Sequence, residues 1–295
     1  MDISIIIPTC DGVSTLKRCL RMLGRQRVKY DSFSWEIIIV MDKKDRTTEQ
    51  WFFTGSRRYS KVKLFRARGE GVNSARNKGI EEANGEILFF LDDDCVPAHK
   101  LWLNEVLLTF RLHRDADAIG GGYRCRDKFD ICAISRNKLN NFYVQSNTSP
   151  SGETAVLLGG DCGYRREIFQ SCGVFDDTMH YGSAEKEMQD RIRKNGGRML
   201  CFEKLSIFHI TPPKPISVYL IKSFKQGAGQ AYSRIKNSSS SLPDGRTNQR
   251  FWFLTIANEF EGRLIDKFFI ALFLLINSAF YFSGKIYGFI RHRLR

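Results

Sequence analysis

Three consecutive aspartates, Asp92, Asp93 and Asp94, follow an apolar run at residues 87–91. The run is short and Gly85 precedes it, so it predicts a strand that is buried on both faces. Adjacent carboxylates repel each other unless a cation lies on them, and ligands of open α/β sheets bind beyond the carboxyl ends of the strands. The cluster therefore predicts a divalent cation that is bound partly by protein oxygens and partly by substrate phosphates. The alternative is a solvated acidic turn that caps the next helix.

The elements that must position these aspartates alternate between strand and helix. Such an order predicts a largely parallel sheet with helices on both faces, an α/β fold, because parallel strands need crossover connections. The predicted strands cover residues 3–7 (stopped by Pro8), 37–41, 62–65, 86–91 and 118–122, and the predicted helices cover 14–23, a stretch from 47 onward, 71–83 and 101–112.

Two further acids, Asp11 and Asp42, follow the first and second predicted strands. The carboxyl ends of neighbouring parallel strands meet at one edge of a sheet, so we expect both acids to lie near the three aspartates. Three acidic strand ends that converge favour a polar ligand site over three unrelated turns, although each acid could instead cap the helix after it.

The composition limits the class of protein. The chain has 295 residues and a formal net charge of +14, which favours nucleic acid, anionic membrane or phosphorylated substrates as partners. From Pro212 onward, 13 lysines and arginines stand against 4 acids, an excess of nine. This charge lies beside an apolar tail and no recognition motif accompanies it, so we expect no nucleic-acid partner. None of the eight cysteines forms a C-x-x-C pair, which argues against a zinc ribbon or a redox motif.

The last part of the chain is basic and aromatic. We predict an amphipathic helix at 216–224, a turn at 242–245, an aromatic helix from Phe251, and an apolar run at 268–282. Basic residues flank the apolar run, from Lys267 to Arg295. At ~1.5 Å per residue the run spans roughly 25 Å, short of the ~30 Å hydrocarbon core, so it predicts a peripheral or monotopic helix in an anionic leaflet. The alternative is a helix buried against the rest of the protein.

These features divide the chain into an α/β domain at residues 1–212 and a helical attachment region at residues 213–295. The chain passes from Met1 directly into the first predicted strand, without a basic and apolar leader. We therefore expect no signal peptide, free thiols, and a location at the cytoplasmic face of the membrane.

The order of several short motifs resembles that of family 2 glycosyltransferases. Each motif alone is weak evidence, but five or more in the right order are specific, and the resemblance covers roughly the first 210 residues. The motifs lie at residues 4–9, 36–42, 75–79, 83–86, 91–94, 159–161, 165–166, 173–176, 185–196 and His209.

The resemblance implies a GT-A fold, a UDP- or GDP-linked sugar as donor, a divalent metal (Mn²⁺ or Mg²⁺) and inversion of the anomeric centre. It implies that Asp94 is the main metal ligand and that His209 lies near the metal, although a lone histidine is more often structural. The implied nucleotide-sugar residues are Pro8, Thr9, Asp11, Asp42, Arg76, Asp92 and Asp93; the implied metal residues are Asp92, Asp94 and His209; the implied acceptor residues are Gly159, Gly160 and Asp161.

The same resemblance implies a catalytic base at a helix start. Aligning Arg191 and Gly196 with the arginine and glycine of the family places Glu185 at that position, with Glu187 as the fallback. A carboxylate there would take the proton of the acceptor hydroxyl. The alternative is an ordinary charged helix face.

Three positions depart from the family pattern. Cys10 stands where an aromatic residue often stacks on the base, Met41 where a second aspartate is common, and Ala184 where an acid often precedes the base. The expected function is transfer of a sugar to a hydroxyl of a glycan or lipid-linked acceptor, in the synthesis of cell-surface polysaccharide or glycolipid. Met41 and Ala184 favour the alternative, a non-catalytic protein that binds a nucleotide sugar.

Overall fold

A seven-stranded sheet forms the centre of the computed structural model, which describes residues 1–28, 33–55, 61–124, 130–179, 184–210, 212, 214–236, 252–258 and 263–293. The strand order is β3-β2-β1-β4-β8-β6-β9, and only the pairs that β8 makes with β4 and β6 are antiparallel. The strands are β1 (Ile3–Thr9), β2 (Trp35–Met41), β3 (Val62–Arg66), β4 (Ile87–Leu91), β5 (Cys95–Pro97), β6 (Ala118–Gly120), β7 (Tyr123–Arg124), β8 (Asp161–Arg165), β9 (Met199–Cys201) and β10 (Ile207–His209).

Helices cover both faces of this sheet. On one face Leu16 and Leu20 of the first helix pack on Ile5, and on the other face Ala75 of the third helix packs near Ile6. The predicted α/β fold with a mostly parallel sheet is therefore confirmed. The helices are α1 (Val13–Leu23), α2 (Thr48–Gly55), α3 (Val72–Glu82), α4 (Trp102–Leu112), α5 (Ile131–Gln145), α6 (Ile168–Ser171), α7 (Ala184–Lys194), α8 (Ile216–Lys236), α9 (Trp252–Asn258) and α10 (Leu264–Arg293).

The first strand does not stop at Pro8, contrary to the prediction, but continues to Thr9. The carbonyl of Thr9 accepts a hydrogen bond from the backbone N–H of Asp42 after β2. Successive residues of a strand direct their backbone groups to opposite sides, so the nitrogen of Pro8 faces β4, where pairing has already ended at Ile6. The proline therefore removes no hydrogen bond from the ladder.

A smaller sheet of β5, β10 and β7 lies beside the carboxyl end of β4. In it His209 pairs with Cys95, and the backbone N–H of Ile210 donates to the carbonyl of Asp94 at 2.7 Å. This pairing brings the end of β10 next to the three aspartates, more than a hundred residues earlier in the chain.

The helices after residue 212 are longer than the sequence patterns predict. The helix predicted at 216–224 is α8, with 21 residues, and the apolar run at 268–282 is the middle of α10, with 30 residues. At ~1.5 Å per residue α10 is about 45 Å long, so the argument that it is too short to cross a membrane is wrong. Residues Leu264–Arg291 are long and apolar enough to span one, and 28% of their most apolar window is buried. The predicted turn at 242–245, Phe251 and Arg295 lie outside the described residues.

A third apolar core joins these helices to α5. It contains Ala133 of α5, Tyr219 of α8, Ile256 of α9 and Ile270 of α10. The helices after residue 212 are thus packed on α5, and α8 and α10 complete one side of the cleft described next. The cysteines at the seven described positions are free thiols.

Candidate active site

A cleft of about 880 Å³ opens at the carboxyl ends of β1, β2 and β4. One side of it carries the acids Asp42, Asp92, Asp93, Asp94 and Glu185. The other side is formed by α5, α8 and α10 and presents amides, hydroxyls and basic groups. The cleft therefore has an acidic half and a basic half, which is the charge pattern of a site for a cation together with an anion.

Arg76 on α3 is the cation that holds the acidic half together. Its side chain is 1% exposed, its Nη1 donates to Glu185 Oε1 at 3.0 Å, and its Nη2 lies 3.4 Å from Asp92 Oδ1. The same Nη2 donates to the carbonyl of Gly159 at 3.1 Å. Burial lowers the pKa of Arg76, but the charges of Glu185 and Asp92 outweigh it, so the guanidinium stays charged.

Glu185 lies in the first turn of α7 and lines the cleft. Burial raises its pKa, but the charge of Arg76 outweighs burial and holds the pKa below the usual range. Glu185 is therefore an ionised carboxylate at neutral pH, with Oε1 taken up by Arg76 and no side-chain hydrogen bond to Oε2 in the described residues.

The fallback residue Glu187 occupies a different environment. It is fully buried, accepts hydrogen bonds from Nε and Nη2 of Arg191 at 2.9 Å each, and lies 3.9 Å from Lys236 Nζ. It does not line the cleft; its bonds with Arg191 lie within α7, and its contact with Lys236 joins α7 to α8. Of the two glutamates, only Glu185 is in a position to contact a substrate.

The pKa values of the three aspartates are shifted in different directions. Burial raises the pKa of Asp92, with Arg76 as the main opposing influence. Burial also raises the pKa of Asp93 to about 7, although Thr9 donates a hydrogen bond to it at 2.5 Å. For Asp94 burial acts in the same direction, but the hydrogen bond and charge of His209, then the charge of Lys222, lower the pKa below its usual value.

Asp94 and His209 are the residues best placed to hold a metal. His209 Nε2 lies 3.4 Å from Asp94 Oδ2, its Nδ1 is 2.8 Å from Asn137 Oδ1, and its ring stacks on Tyr123 at 4.6 Å. The Cys95 thiol lies within the same group of donor atoms, and burial raises its pKa far above the usual range. An ionised carboxylate and an imidazole fixed by a second hydrogen bond fit a divalent cation, and both residues line the cleft.

Asp92 is the remaining metal candidate. It lies outside the group of donor atoms formed by Asp94, Cys95 and His209, because its carboxylate faces Arg76. Among the nucleotide candidates, Pro8, Thr9 and Asp42 line the cleft. Asp42 also fixes the loop around it, since Oδ2 accepts from the N–H of Gly71 at 2.6 Å.

Asp11 does not line the cleft. It is exposed, has a positive φ of 53°, and its Oδ1 accepts hydrogen bonds from the N–H of Arg46 and from the N–H and hydroxyl of Thr47. These bonds fix the loop before α2, which is a structural role. The exposed thiol of Cys10 lines the cleft beside it, at the place where the resemblance puts a base-stacking aromatic.

Gly159 and Gly160 lie against the two acids that Arg76 binds. A Cβ atom on Gly159 would collide with Glu185, and one on Gly160 would collide with Asp92, so both positions require glycine for this approach. Asp161 is fully buried, and neither of its carboxyl oxygens has a hydrogen-bond partner among the described residues. Burial raises its pKa far above the usual range, and Asp161 does not line the cleft.

Sequence reasoning missed Asn137, Tyr123 and the basic residues of the helical side. Asn137 and Tyr123 orient His209, and Lys222 faces the acids from α8. Asn137, Tyr123 and Lys222 do not belong to any of the sequence motifs. Only the fold shows that α5 and α8 pass over the aspartates.

Known proteins resemble this chain in sequence and in fold. The sequence model described as Glycosyl transferase family 2 matches residues 4–173. Glycosyltransferase AglE of Haloferax volcanii is 25% identical over 230 residues, which are 77% of this chain and 72% of AglE.

Two solved structures share the fold. One is the mannosyltransferase PcManGT from Pyrobaculum calidifontis, in complex with GDP-Man and Mn²⁺. Its TM-score is 0.66 at 15% identity, and the match covers 97% of this chain and 86% of PcManGT. The other is TarS 1-349 of S. aureus, in complex with UDP. Its TM-score is 0.56 at 14% identity, and the match covers 100% of this chain and 92% of the TarS chain. These likenesses confirm the predicted GT-A fold. Because the family match covers more than half of the sequence, the chain belongs to glycosyl transferase family 2 and is a glycosyltransferase.

Proposed function

We propose that this enzyme moves a sugar from a UDP- or GDP-linked donor to a hydroxyl of a glycan or lipid-linked acceptor, with inversion and with a divalent metal. The observation that carries the proposal is the ionised Glu185 held by Arg76 beside Asp92 and Asp94 in one cleft. The nucleotides and Mn²⁺ bound by the similar structures support it.

Asp94 and His209 would hold the metal, Mn²⁺ or Mg²⁺, with Asp92 and Asp93 beside the donor. Bound there, the metal supplies positive charge to the diphosphate as it leaves. Pro8, Thr9 and Asp42 line the part of the cleft expected to take the nucleotide, and Asp11 would act on it through the loop that it fixes.

Glu185 is the proposed base. The acceptor hydroxyl oxygen attacks the anomeric carbon from the side opposite the diphosphate, the bond from that carbon to the diphosphate oxygen breaks, and the hydroxyl proton passes to Glu185 Oε2. Attack from the opposite side inverts the anomeric centre. Arg76 keeps the carboxylate ionised and oriented, and the close approach of Gly159 and Gly160 leaves room for the acceptor sugar.

The helical region at 213–295 would place this site at the cytoplasmic face of a membrane, next to the α/β domain at 1–212. Exposed apolar side chains on α10, such as Phe268 at 60% and Phe282 at 59%, support this placement. A role in cell-surface polysaccharide or glycolipid synthesis agrees with an acceptor carried on that membrane.

A donor screen tests the proposal. The full chain in detergent is heated with UDP-, GDP- and dTDP-sugars, with and without Mn²⁺, and each stabilising donor is then assayed for hydrolysis and transfer. We expect a UDP- or GDP-sugar to raise the melting temperature, more so with Mn²⁺, and to be hydrolysed slowly. Binding with neither hydrolysis nor transfer would instead identify the non-catalytic alternative.

A further inference from the structure

Arg136 on α5 is a buried cation without an anion. Its side chain is 8% exposed, and its guanidinium donates to Ser223 Oγ at 2.6 Å, to Gln226 Oε1 at 2.9 Å and to Asn277 Oδ1 at 3.4 Å. All of these acceptors are neutral, and no carboxylate of the described residues lies within ion-pair distance. Burial lowers the pKa of Arg136 to about 10.

Arg76 is a second buried arginine in this fold, and it differs from Arg136 because it has counter-ions. It is 1% exposed and lies between two carboxylates, Glu185 and Asp92. A buried charge is costly unless it is paired, because the protein interior solvates it poorly. Arg136 is therefore positioned for an anion that the protein itself does not supply.

The surroundings of Arg136 also favour an anion. It lines the basic half of the cleft, to which α5, α8 and α10 contribute no acid. Lys222 and Lys225 of α8 line the same half, and the charge of Lys222 reaches both Asp94 and Glu185.

Apolar side chains continue from this half of the cleft onto the outer surface of the helices. Val218 of α8 and Phe282 of α10 both line the cleft and are 41% and 59% exposed. On the outer surface, Ile221 is 53% exposed. A ligand that fits both features has an anionic group attached to an apolar chain.

We propose that the basic half of the cleft binds the phosphate or diphosphate group of a lipid-linked acceptor, and that Arg136 and Lys222 are the cations that hold it. This inference rests on the proposed transferase function and deepens it. Arg136 supplies a planar fork of donors for phosphate oxygens, and Lys222 brings a second charge from α8. The apolar chain of the acceptor then lies over Val218 and Phe282, and its reactive hydroxyl is directed toward Glu185.

The test measures binding of decyl phosphate, decyl glucoside and inorganic phosphate to the full chain in detergent, by titration calorimetry. We expect decyl phosphate to bind at least tenfold more tightly than either of the other two, since it alone has both the charge and the chain. Arg136→Gln and Lys222→Gln should each weaken decyl phosphate about tenfold, Arg136→Lys should weaken it less, and the exposed-site control Arg21→Gln should leave it unchanged.

A parallel titration with UDP and GDP plus Mn²⁺ separates the acceptor from the donor. In Arg136→Gln the nucleotide affinity should change less than about twofold. The loss of one charge-assisted hydrogen bond to the nucleotide would reduce the affinity by more than that. A larger loss for nucleotide than for decyl phosphate would assign Arg136 to the donor and overturn the inference. The inference is also overturned if the wild-type chain binds decyl phosphate no more tightly than decyl glucoside. This comparison uses only the wild type, so it does not depend on whether a variant folds. If the wild type binds neither nucleotide, the transferase proposal itself fails.

Discussion

Arg76 Nη1 donates to Glu185 Oε1 at 3.0 Å, which ties the helix before the acidic strand to the first turn of α7. The two residues are 109 positions apart in the chain. Their pairing places the proposed base at a fixed distance from Asp92 and keeps it ionised. Several consequences of this pair, and of the groups around it, can be measured.

Glu185→Gln should slow transfer strongly without preventing donor binding. The amide cannot take the proton of the acceptor hydroxyl, so we expect the transfer rate to fall on the order of 10²-fold or more. Nucleotide affinity, measured by calorimetry with Mn²⁺, should stay within about threefold of wild type, because general-base chemistry is not needed for binding.

Glu187→Gln is the matched control. Glu187 is buried against Arg191, so its substitution should lower the free energy of unfolding by about 1–3 kcal/mol, while transfer per folded molecule remains. Normal transfer by Glu185→Gln combined with loss in Glu187→Gln would show that the alignment is wrong by two residues.

Asp94→Asn should remove the effect of metal on nucleotide binding. In the wild type we expect Mn²⁺ to raise the melting temperature in the presence of UDP or GDP, and EDTA to reverse the rise. The variant loses the ionised carboxylate that faces His209, so the increment due to Mn²⁺ should disappear. The backbone bond from Ile210 to the carbonyl of residue 94 is unaffected, so the fold should persist.

The exposed residue Asp177 provides the control for charge alone. Asp177→Asn removes the same charge away from the cleft and should leave the Mn²⁺ increment unchanged. Full activity and full metal dependence in Asp94→Asn would exclude Asp94 as a ligand.

Arg76→Gln should destabilise the protein, because Glu185 and Asp92 would then face each other without a cation. Breaking a buried ion pair costs about 3–5 kcal/mol, and we expect the lower part of that range, since the two carboxylates are 27% and 33% exposed. The double variant Arg76→Gln/Glu185→Gln should recover part of the loss. Urea unfolding of the four proteins of this cycle measures the coupling, and additive effects would show that the pair is not coupled.

Glu36 gives a prediction about pH and stability away from the cleft. Its buried carboxylate accepts hydrogen bonds from Ser4 Oγ at 2.7 Å, Lys63 Nζ at 2.8 Å and the N–H of Asn84 at 2.8 Å. Burial raises its pKa, but these bonds outweigh burial, so the pKa in the folded protein lies below the ordinary value of 4.5. Its stabilisation is therefore complete above about pH 5 and is lost as the pH falls through the folded pKa.

We expect Glu36→Gln to be less stable than the wild type by about 1–3 kcal/mol at pH 7, and the difference to shrink as the pH falls below about 5. Urea unfolding at several pH values measures the difference in the free energy of unfolding between the variant and the wild type. The other acids titrate alike in both proteins, so their contribution cancels. Glu81→Gln, at a 48% exposed site, should show a difference below about 1 kcal/mol at every pH. A difference for Glu36→Gln that does not change with pH would contradict the assignment.

The sequence predicts five strands of the large sheet, β1 to β4 and β6. It does not predict β9, which has three residues, or β8, whose sequence lacks an apolar run. It does not predict how His209 reaches Asp94, since β5 and β10 have three residues each and show no periodicity. Only the family resemblance suggested that His209 lies near the metal. The position of Arg136 was also beyond sequence reasoning, because its neighbours Ser223 and Asn277 lie in α8 and α10, far along the chain.

The helical tail leads to a prediction about membranes. Phe268, Phe269 and Phe282 of α10 are 60%, 49% and 59% exposed, and their contact with water is unfavourable by roughly 25 cal/mol per Å² of apolar surface. Basic residues such as Lys267 and Arg291 on the same helix attract anionic lipid at ~1 kcal/mol each. We therefore expect the full chain to sediment with vesicles that contain an anionic phospholipid. Binding should be weaker to neutral vesicles and at high salt.

The triple variant Phe268→Ser/Phe269→Ser/Phe282→Ser should lose most of this binding. Substitution is a sharper test than deletion of 266–295, because that deletion would also remove Ile270, Phe273 and Leu274, which are buried in the core shared with α5 and α8. Phe53→Ser/Leu112→Ser removes apolar side chains that are 70% and 73% exposed on the α/β domain, and it should bind vesicles like the wild type. If the wild type is monomeric without detergent and ignores anionic vesicles, the exposed face of α10 is not a membrane surface, and the proposed location is wrong.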